Sequence, residues 1–475
     1  MKTQLKILVG IISPVILLIV LIGWVVVRDS RPPKDEGLGI RALQVPEHQN
    51  GYRYFQTAAR QLYWGDGSAR VGEILGDWSS YDHGFVQDML YRNAGVIDYV
   101  CNGLTCEYNQ APGLPGVEAE VPLAGQWGGA VRVLALQALH HWRRNEHKES
   151  MESAMTIVRF GNRLEDSRSR IGYWQLGASF KEYGAGHIRR LLVVLDRLGP
   201  EDLKSYAAEL QDCAVNEKGL SDTLKSEYAA LCGAMDALAA GAARSDKGAR
   251  YPENIKVGFQ GFLPNKTKVL LAKGFERLAG EANTVAARLK GASEIGEVRR
   301  LEQDGPMATL YGNPQGVMIY LQIAKRMDGV LSARCHEEAS LSATSVLLAL
   351  KAYKMARGKL PDSLGQLVPE FLKAVPRDAY DGLPLRYSVK KKVVYSVGED
   401  LYDSTAAEET EAAAPPAPPS TSSGPSGTPA QDSEVRTVMP AAPAQDTGVM
   451  PTGSPNGPPA TPPALSDDMV FPIQF

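Results

Sequence analysis

Apolar residues recur at helical spacing through the middle of the chain, and this periodicity limits what the chain can fold into. The clearest stripes are Val131, Leu134, Ala135, Ala138 and Trp142, then Met151, Ala154, Met155 and Val158, then Leu176, Phe180, Tyr183, Ile188, Leu191 and Leu195. A helix with one apolar stripe buries it against a neighbouring helix, and short connections favour antiparallel hairpins. Gly199 followed by Pro200 is typical of one helix ending and the next beginning. The sequence therefore predicts an irregular helical-hairpin body.

This body is predicted to span residues 46–330 of a mainly α fold. Residues 100–123 are rich in Gly and Pro and are predicted to form a loop. From Pro314 to Arg357 there is no further proline and Gly329 is the only interior breaker, which favours one long helix with a possible break there. The succession of stripes resembles a tetratricopeptide-type helical array, although no strict repeat of about 34 residues recurs. The resemblance implies an extended surface for protein partners.

Residues 7–27 form an uncharged stretch dominated by Ile, Leu and Val. A helix of that length, at about 1.5 Å per residue, matches a hydrocarbon core of roughly 30 Å. The sequence thus predicts a transmembrane anchor at residues 1–28, with the lipid bilayer as the partner of residues 7–27, and a polar tether at residues 29–45. A cleavable signal peptide is the alternative, but Val25–Arg28 does not offer the small residues of a cleavage site.

The charges that flank this stretch bear on its orientation. Lys2 and Lys6 precede it, whereas Arg28, Arg31 and Lys34 follow it. Both flanks are therefore positively charged, and their charges favour opposite orientations. The short side, with its free amino group, is favoured as the cytoplasmic one. The sequence predicts a single-pass protein of the inner (cytoplasmic) membrane whose body lies in the periplasm.

The hydrophobic period changes after Gly358, which indicates a second unit at residues 331–404. Alternating residues that share a face are Leu385, Tyr387 and Val389 in one run, and Val393, Tyr395 and Val397 in the next. Two alternating runs separated by three lysines are typical of a β-hairpin with a solvated turn. Because a two-stranded ribbon is marginal by itself, the hairpin is predicted to pack on the helix of residues 341–357. The result is a small α+β module.

Five short motifs give this module a resemblance to the globular head of the type II secretion major pseudopilin. They are LKAY at 350–353, GKLP at 358–361, VPRD at 375–378, DGLPLRY at 381–387 and YSVGED at 395–400. The family implies a long helix backed by a small antiparallel sheet, and it suggests an accessory role in a type II secretion or pilus-like system. The chain departs from the family because no polymerising helix lies directly before the head. A likeness of fold does not establish function.

The same resemblance implies a metal site, since pseudopilin heads bind calcium in the loop that follows the last strand of the hairpin. Glu399, Asp400 and Asp403 lie at that position and offer the carboxylate oxygens that calcium prefers. The glycines that the family carries after them are missing here. A calcium site formed by these three residues is therefore one expectation, and a solvated acidic turn is the other.

Residues 405–466 consist mainly of Pro, Ala, Ser, Thr and Gly, and they offer too little apolar surface to offset the entropy of ordering. They are predicted to form a disordered insertion. Residues 405–475 contain eight acids and one arginine, a net charge of −7, which leaves the rest of the chain at about +4. Apolar residues return within residues 467–475, where Met469–Phe471 is predicted to close the sheet as a further strand; a loose tail is the alternative.

Charge and cysteine content argue against a nucleic-acid-binding protein and against a protein built on disulfide bonds or structural zinc. The net charge of −3 and the lack of a dense basic patch make nucleic acid an unexpected partner. The five cysteines are too few for a disulfide scaffold, and no pair has the spacing of a zinc site. Cys101 and Cys106 could close a small loop through a disulfide bond, or they could both be unpaired thiols.

No residue pattern identifies a catalytic centre or a cofactor site. Neither a nucleophile elbow nor a phosphate-binding loop is present. His140 and His147 could share a helix face, and Cys335 precedes His336, but neighbours in a helix point about 100° apart. The sequence therefore predicts a membrane-tethered, non-enzymatic scaffold or interaction protein of the cell envelope with an unidentified protein partner. An accessory secretion component and an envelope hydrolase with an unrecognised site are the alternatives.

Overall fold

The computed structural model describes residues 28–40, 45–114, 116–117, 120–214, 217–240, 262–281, 313–404 and 468–475. The α-helices in these ranges are α1 (Gly51–Gln61), α2 (Ser68–Gly76), α3 (His83–Arg92), α4 (Ala94–Thr105), α5 (Ala124–Arg143), α6 (His147–Glu165), α7 (Ile171–Val194), α8 (Pro200–Ala214), α9 (Glu217–Ala239), α10 (Pro264–Glu281) and α11 (Pro314–Arg357). The strands are β1 (Arg386–Ser388), β2 (Val393–Ser396) and β3 (Met469–Pro472), and short 3₁₀ turns lie at Glu36–Leu38, Glu47–Gln49, Trp78–Ser80 and Leu364–Leu367. The prediction of a mainly helical chain with a small sheet is confirmed.

Helices α6 and α7 form a tightly packed antiparallel hairpin. A Cβ added at Gly161 would lie 2.5 Å from the carbonyl oxygen of Gly177, and one added at Gly177 would lie 2.5 Å from that of Gly161. Farther along, a Cβ added at Gly184 would lie 2.7 Å from a methyl carbon of Val158 and 3.1 Å from its backbone nitrogen. Such distances require glycine, because any side chain would force the two backbones apart. The pair Gly161 and Gly177, together with Gly184, therefore allows the close approach of the two helices.

Helix α11 runs without a break for 44 residues, so Gly329 does not interrupt it. Its first half packs with α9 and α10 in one apolar cluster, and its second half packs with α6, α7 and α8 in another. It ends at Gly358, whose φ of 76° is a conformation that favours glycine. The boundary predicted at residue 331 therefore falls inside one continuous helix.

The three strands form an antiparallel sheet in the order β1-β2-β3. All four residues of β2 are buried, while Lys390, Lys391 and Lys392 are exposed between β1 and β2. The strand expected at Met469–Phe471 is present as β3, which pairs with β2 through Val394 and Phe471. The sheet packs on α11, as the hairpin argument required.

The described part of the predicted tether is docked on the helices. Asp29 accepts hydrogen bonds from the backbone N–H groups of Asn265 and Lys266 at 3.0 Å, and so caps the start of α10. Asp35 accepts one from the hydroxyl of Tyr228 at 2.8 Å, and Leu38 is buried. These three residues of the predicted tether therefore contact the helical body.

The predicted loop at 100–123 begins later than expected, because α4 continues to Thr105. Gly103 does not mark a turn. A Cβ there would lie 2.4 Å from the ring of Phe55, so the glycine allows α1 and α4 to approach. Cys101 and Cys106 are both free thiols in this geometry.

The membrane prediction needs correction. Across the described ranges, no helix is both long enough and apolar enough to cross a bilayer. Residues 7–27, on which the anchor was placed, lie outside those ranges, as do residues 405–466. We therefore correct the fold class to mainly α with a three-stranded sheet. The predictions of a transmembrane helix and of an inner-membrane, periplasmic location are therefore not supported by the described helices.

Candidate functional site

A groove of about 380 Å³ lies between α7 and the edge of the sheet. One wall is a single face of α7, formed by Gly186, Arg189, Arg190 and Val193. The other wall is β3 and the residues after it, Val470–Pro472, Gln474 and Phe475. Leu192 and Leu347 complete the lining. The groove is therefore built jointly by the helical body and the C-terminal module.

The arginines of the groove are held in place by neighbouring groups. Arg189 donates to the hydroxyls of Ser340 and Thr344, both at 2.8 Å, and its guanidinium lies 5.2 Å from the centre of the Phe471 ring. Arg190 donates to the carbonyl of Leu75 at 2.7 Å. Anchored in this way, both side chains lose little conformational entropy when a ligand binds. The groove thus combines apolar surface with fixed positive charge.

A buried cluster of charges lies at the contact of α6, α7 and α11. Lys181 donates to Glu165 at 2.9 Å and also forms an ion pair with Glu337. Arg334 lies 3.8 Å from Glu337 and donates to the carbonyl of Ala214 at 2.8 Å. Lys181 and Glu165 are fully buried, and Arg334 and Glu337 nearly so. A buried pair of this kind is costly to break, because the partner left behind is an unpaired charge.

The cluster has more carboxylates than cations, and this imbalance affects protonation. Glu338 adds a third carboxylate, 3.6 Å from Arg334. Burial, together with the charge of Glu337, raises the pKa of Glu165 to about 8. Burial alone would lower the pKa of Lys181, but the carboxylates of Glu165 and Glu337 raise it overall. The cluster is therefore most stable with a charged lysine and a protonated Glu165.

The residues of the expected calcium site do not converge. Asp403 accepts from Arg386 at 3.2 Å, Glu399 accepts from Ser332, and Asp400 accepts from the backbone N–H of Tyr402 at 3.0 Å. Among the described residues, no three His, Cys, Asp or Glu side chains gather as a metal site. The three carboxylates serve separate contacts in this geometry.

The guanidinium of one arginine, Arg386, contacts three aspartates of the module. The guanidinium of Arg386 contacts Asp378 at 3.0 Å, Asp381 at 2.5 Å and Asp403 at 3.2 Å. Asp378 is fully buried and also accepts from the hydroxyl of Ser396 and the N–H of Val397. Arg386, which lies on β1, thus forms ion pairs with three carboxylates. These ion pairs hold the segment before β1 and the segment after β2 against the sheet.

The histidines singled out in the sequence lie on different elements. His140 lies in the last turn of α5 and forms a hydrogen bond with the hydroxyl of Tyr81 at 2.8 Å, while His147 begins α6 and lies 3.5 Å from Asp196. His83, which the sequence did not single out, stacks on His140 with ring centres 5.4 Å apart. His187 is buried against Tyr183, and burial lowers its pKa to about 4, as expected of a packing residue.

The cysteine–histidine pair on α11 faces in two directions. Cys335 is buried and donates to the carbonyl of Ala379, whereas His336 is exposed. A nucleophile and its base must lie within hydrogen-bonding reach of each other. These two residues do not meet that requirement.

Sequence reasoning missed both the groove and the charge cluster. Glu165, Lys181 and Glu337 lie on three helices, so no local spacing joins them. One signal was available: Lys181 falls beside Ala178 and Ala185, which are buried. A charge inside an apolar stripe indicates a buried partner.

Comparison with known proteins finds no family model, no curated protein and no solved structure that matches this chain. The tetratricopeptide-like and pseudopilin-like identities therefore stay predictions from the residues that suggested them.

Proposed function

We propose that this chain is a non-enzymatic interaction protein, which binds a protein partner in the groove between α7 and β3. The groove is the observation that carries the proposal. Two half-exposed apolar side chains, Val193 at 46% and Val470 at 47%, lie in its lining, one on each wall. Apolar surface flanked by charged groups is typical of a protein-binding site.

The chemistry of the groove supports binding rather than catalysis. Its polar side chains are Arg189, Arg190 and Gln474, none of which serves as a general base at neutral pH. Glu165 and Lys181, whose pKa values are raised, are fully buried and do not line the groove. A substrate in the groove would meet no proton acceptor among these side chains.

Site-specific photocrosslinking tests the proposal. A photoreactive phenylalanine derivative at Val193 would be compared with the same residue at Tyr91, which is 83% exposed on α3. In extract from the source cells, we expect a discrete protein adduct from position 193 alone. Gly186→Leu, which fills the groove, should abolish that adduct. The proposal fails if both positions give the same adducts or if Gly186→Leu leaves the adduct from position 193 intact.

Gly72→Leu is the matched control for this substitution. Gly72 lies within α2, away from the groove, and a Cβ at Gly72 would meet no atom within 4 Å. At Gly186 an added Cβ would meet only Arg189, at 3.8 Å, which is ordinary contact. Both variants should therefore fold, so loss of the adduct with Gly186→Leu alone reports on the groove.

The accessory role in secretion remains a second prediction from the resemblance of the module. The observed helix and sheet have the form that the resemblance implied. No contact in the described residues identifies a secretion partner, and the groove does not depend on one.

A further inference from the structure

We propose that Tyr81, His83 and His140 form a binding site for a zinc ion where the start of α3 meets the end of α5. This inference goes beyond the proposed function, because none of the three residues lines the groove. It rests on the convergence of two imidazole nitrogens and one phenol oxygen. Imidazole is a preferred ligand of zinc, and an oxygen atom can complete the set.

Two helices bring these donor atoms together. Tyr81 and His83 flank Asp82, which caps the start of α3. His140 lies in the last turn of α5. The Nδ1 atoms of both histidines face the hydroxyl oxygen of Tyr81, which lies 2.8 Å from that of His140 and 3.4 Å from that of His83. The three donors thus meet at one place although they come from distant parts of the chain.

The separations of the donors are close to those around a tetrahedral zinc ion. With bonds of about 2.0–2.1 Å, two ligand atoms of such an ion lie about 3.3 Å apart, and the ring centres of two imidazole ligands lie about 5.2 Å apart. His83 lies 3.4 Å from the oxygen of Tyr81, and its ring centre is 5.4 Å from that of His140. Only the oxygen of Tyr81 and the Nδ1 of His140 must move apart, by about 0.5 Å.

A zinc ion would engage all three donors at once, which the hydroxyl proton does not do. Tyr81 has one such proton and can donate it to only one of the two nitrogens. Zinc accepts an electron pair from each donor, and the phenol releases its proton to water when it binds. His83 is exposed, so water reaches the site and can supply a fourth ligand.

The charged groups near Tyr81 and His140 form two ion pairs and include one further cation. The further cation is Arg143, whose guanidinium lies 5.2 Å from the centre of the Tyr81 ring. The phenolate that forms on zinc binding offsets this charge. The ion pairs are Arg70 with Asp82 at 2.8 Å and Arg144 with Glu146 at 2.9 Å, and Glu146 also contacts the Nδ1 of His141 at 2.6 Å.

Isothermal titration calorimetry of the full chain with zinc chloride tests the site. We expect saturable binding to the wild type that weakens at least tenfold in His83→Ala, which removes an exposed side chain, and in Tyr81→Phe, which removes only the oxygen. His48→Ala is the matched control, because His48 is also exposed but lies on the separate turn Glu47–Gln49. It should bind zinc like the wild type.

The melting temperature gives a second measurement. Zinc bound to the folded chain should raise the melting temperature of the wild type and of His48→Ala. It should raise that of His83→Ala and Tyr81→Phe less. Because each variant is compared with itself in the absence of zinc, a change in stability caused by the substitution alone does not affect the result.

Three results would overturn the site. Equal affinity in the wild type, His83→Ala and Tyr81→Phe, or an equal loss in His48→Ala, would indicate an adventitious ion only. A loss in just one of the first two variants would overturn the set of three donors. No saturable binding to the wild type would mean that these side chains form hydrogen bonds only. None of these results bears on the groove, which the crosslinking at Val193 tests separately.

Discussion

The proton on Glu165 should make the stability of this protein depend on pH. The raised pKa of about 8 in the folded state compares with about 4.3 for an unfolded glutamate. Between these values the folded chain holds a proton that the unfolded chain has released. The stabilisation is therefore fully present below the unfolded value and is lost as pH rises through the folded value, by up to about 1.4 kcal/mol per pH unit. From pH 5 to pH 7 the loss is about 2–3 kcal/mol.

Glu165→Gln removes this dependence, because glutamine has the shape of the protonated carboxyl and does not titrate. We expect the free energy of unfolding of the variant, relative to wild type, to rise by about 2–3 kcal/mol between pH 5 and pH 7. Urea unfolding of the full chain, followed by circular dichroism, measures it. Glu47→Gln is the control, since Glu47 is 82% exposed and paired with the exposed Arg53. It should show no such rise.

A constant difference between Glu165→Gln and wild type at both pH values would refute the retained proton. A changed dependence on urea concentration would instead indicate that the substitution altered the surface exposed on unfolding.

Three further predictions follow from contacts described above. Gly161→Ala should destabilise the protein by about 2–3 kcal/mol, because its Cβ meets the backbone of α7, while Gly72→Ala should be neutral or stabilising by about 0.5–1 kcal/mol; melting temperatures compare the two. Calcium should leave the melting temperature of the wild type unchanged and raise that of Arg386→Ala, in which three aspartates lose their cation; equal responses would refute this. Asp29→Ala should cost about 1 kcal/mol and speed hydrogen exchange at the first amides of α10, and unchanged exchange there would contradict the cap.

The helices were predictable where an apolar stripe was long and uninterrupted, as in α6, α7 and α11. Gly103 shows where such prediction fails. Its effect depends on the ring of Phe55 from another helix, and a glycine that permits contact is indistinguishable in sequence from one that makes a turn. The same holds for Asp29, whose partner helix begins more than two hundred residues later.

The candidate groove could not be predicted from the sequence, for a different reason. Its walls come from α7 and β3, which are distant in sequence, and each contributes residues that look unremarkable alone. Val470 lies in a short apolar run, and Arg190 follows Arg189 on a polar face.

The length of α11 has a practical consequence for anyone who wishes to study the two ends of the protein separately. At about 1.5 Å per residue the helix is roughly 66 Å long, and its second half supplies Leu341–Ala352 to the interior. Cutting the chain at residue 331 would leave part of this helix in each fragment. The apolar residues that the intact protein buries would then be exposed and would favour self-association. The protein should therefore be expressed, crystallised and mutated as the full chain. Deletion of either end should prevent the other end from folding.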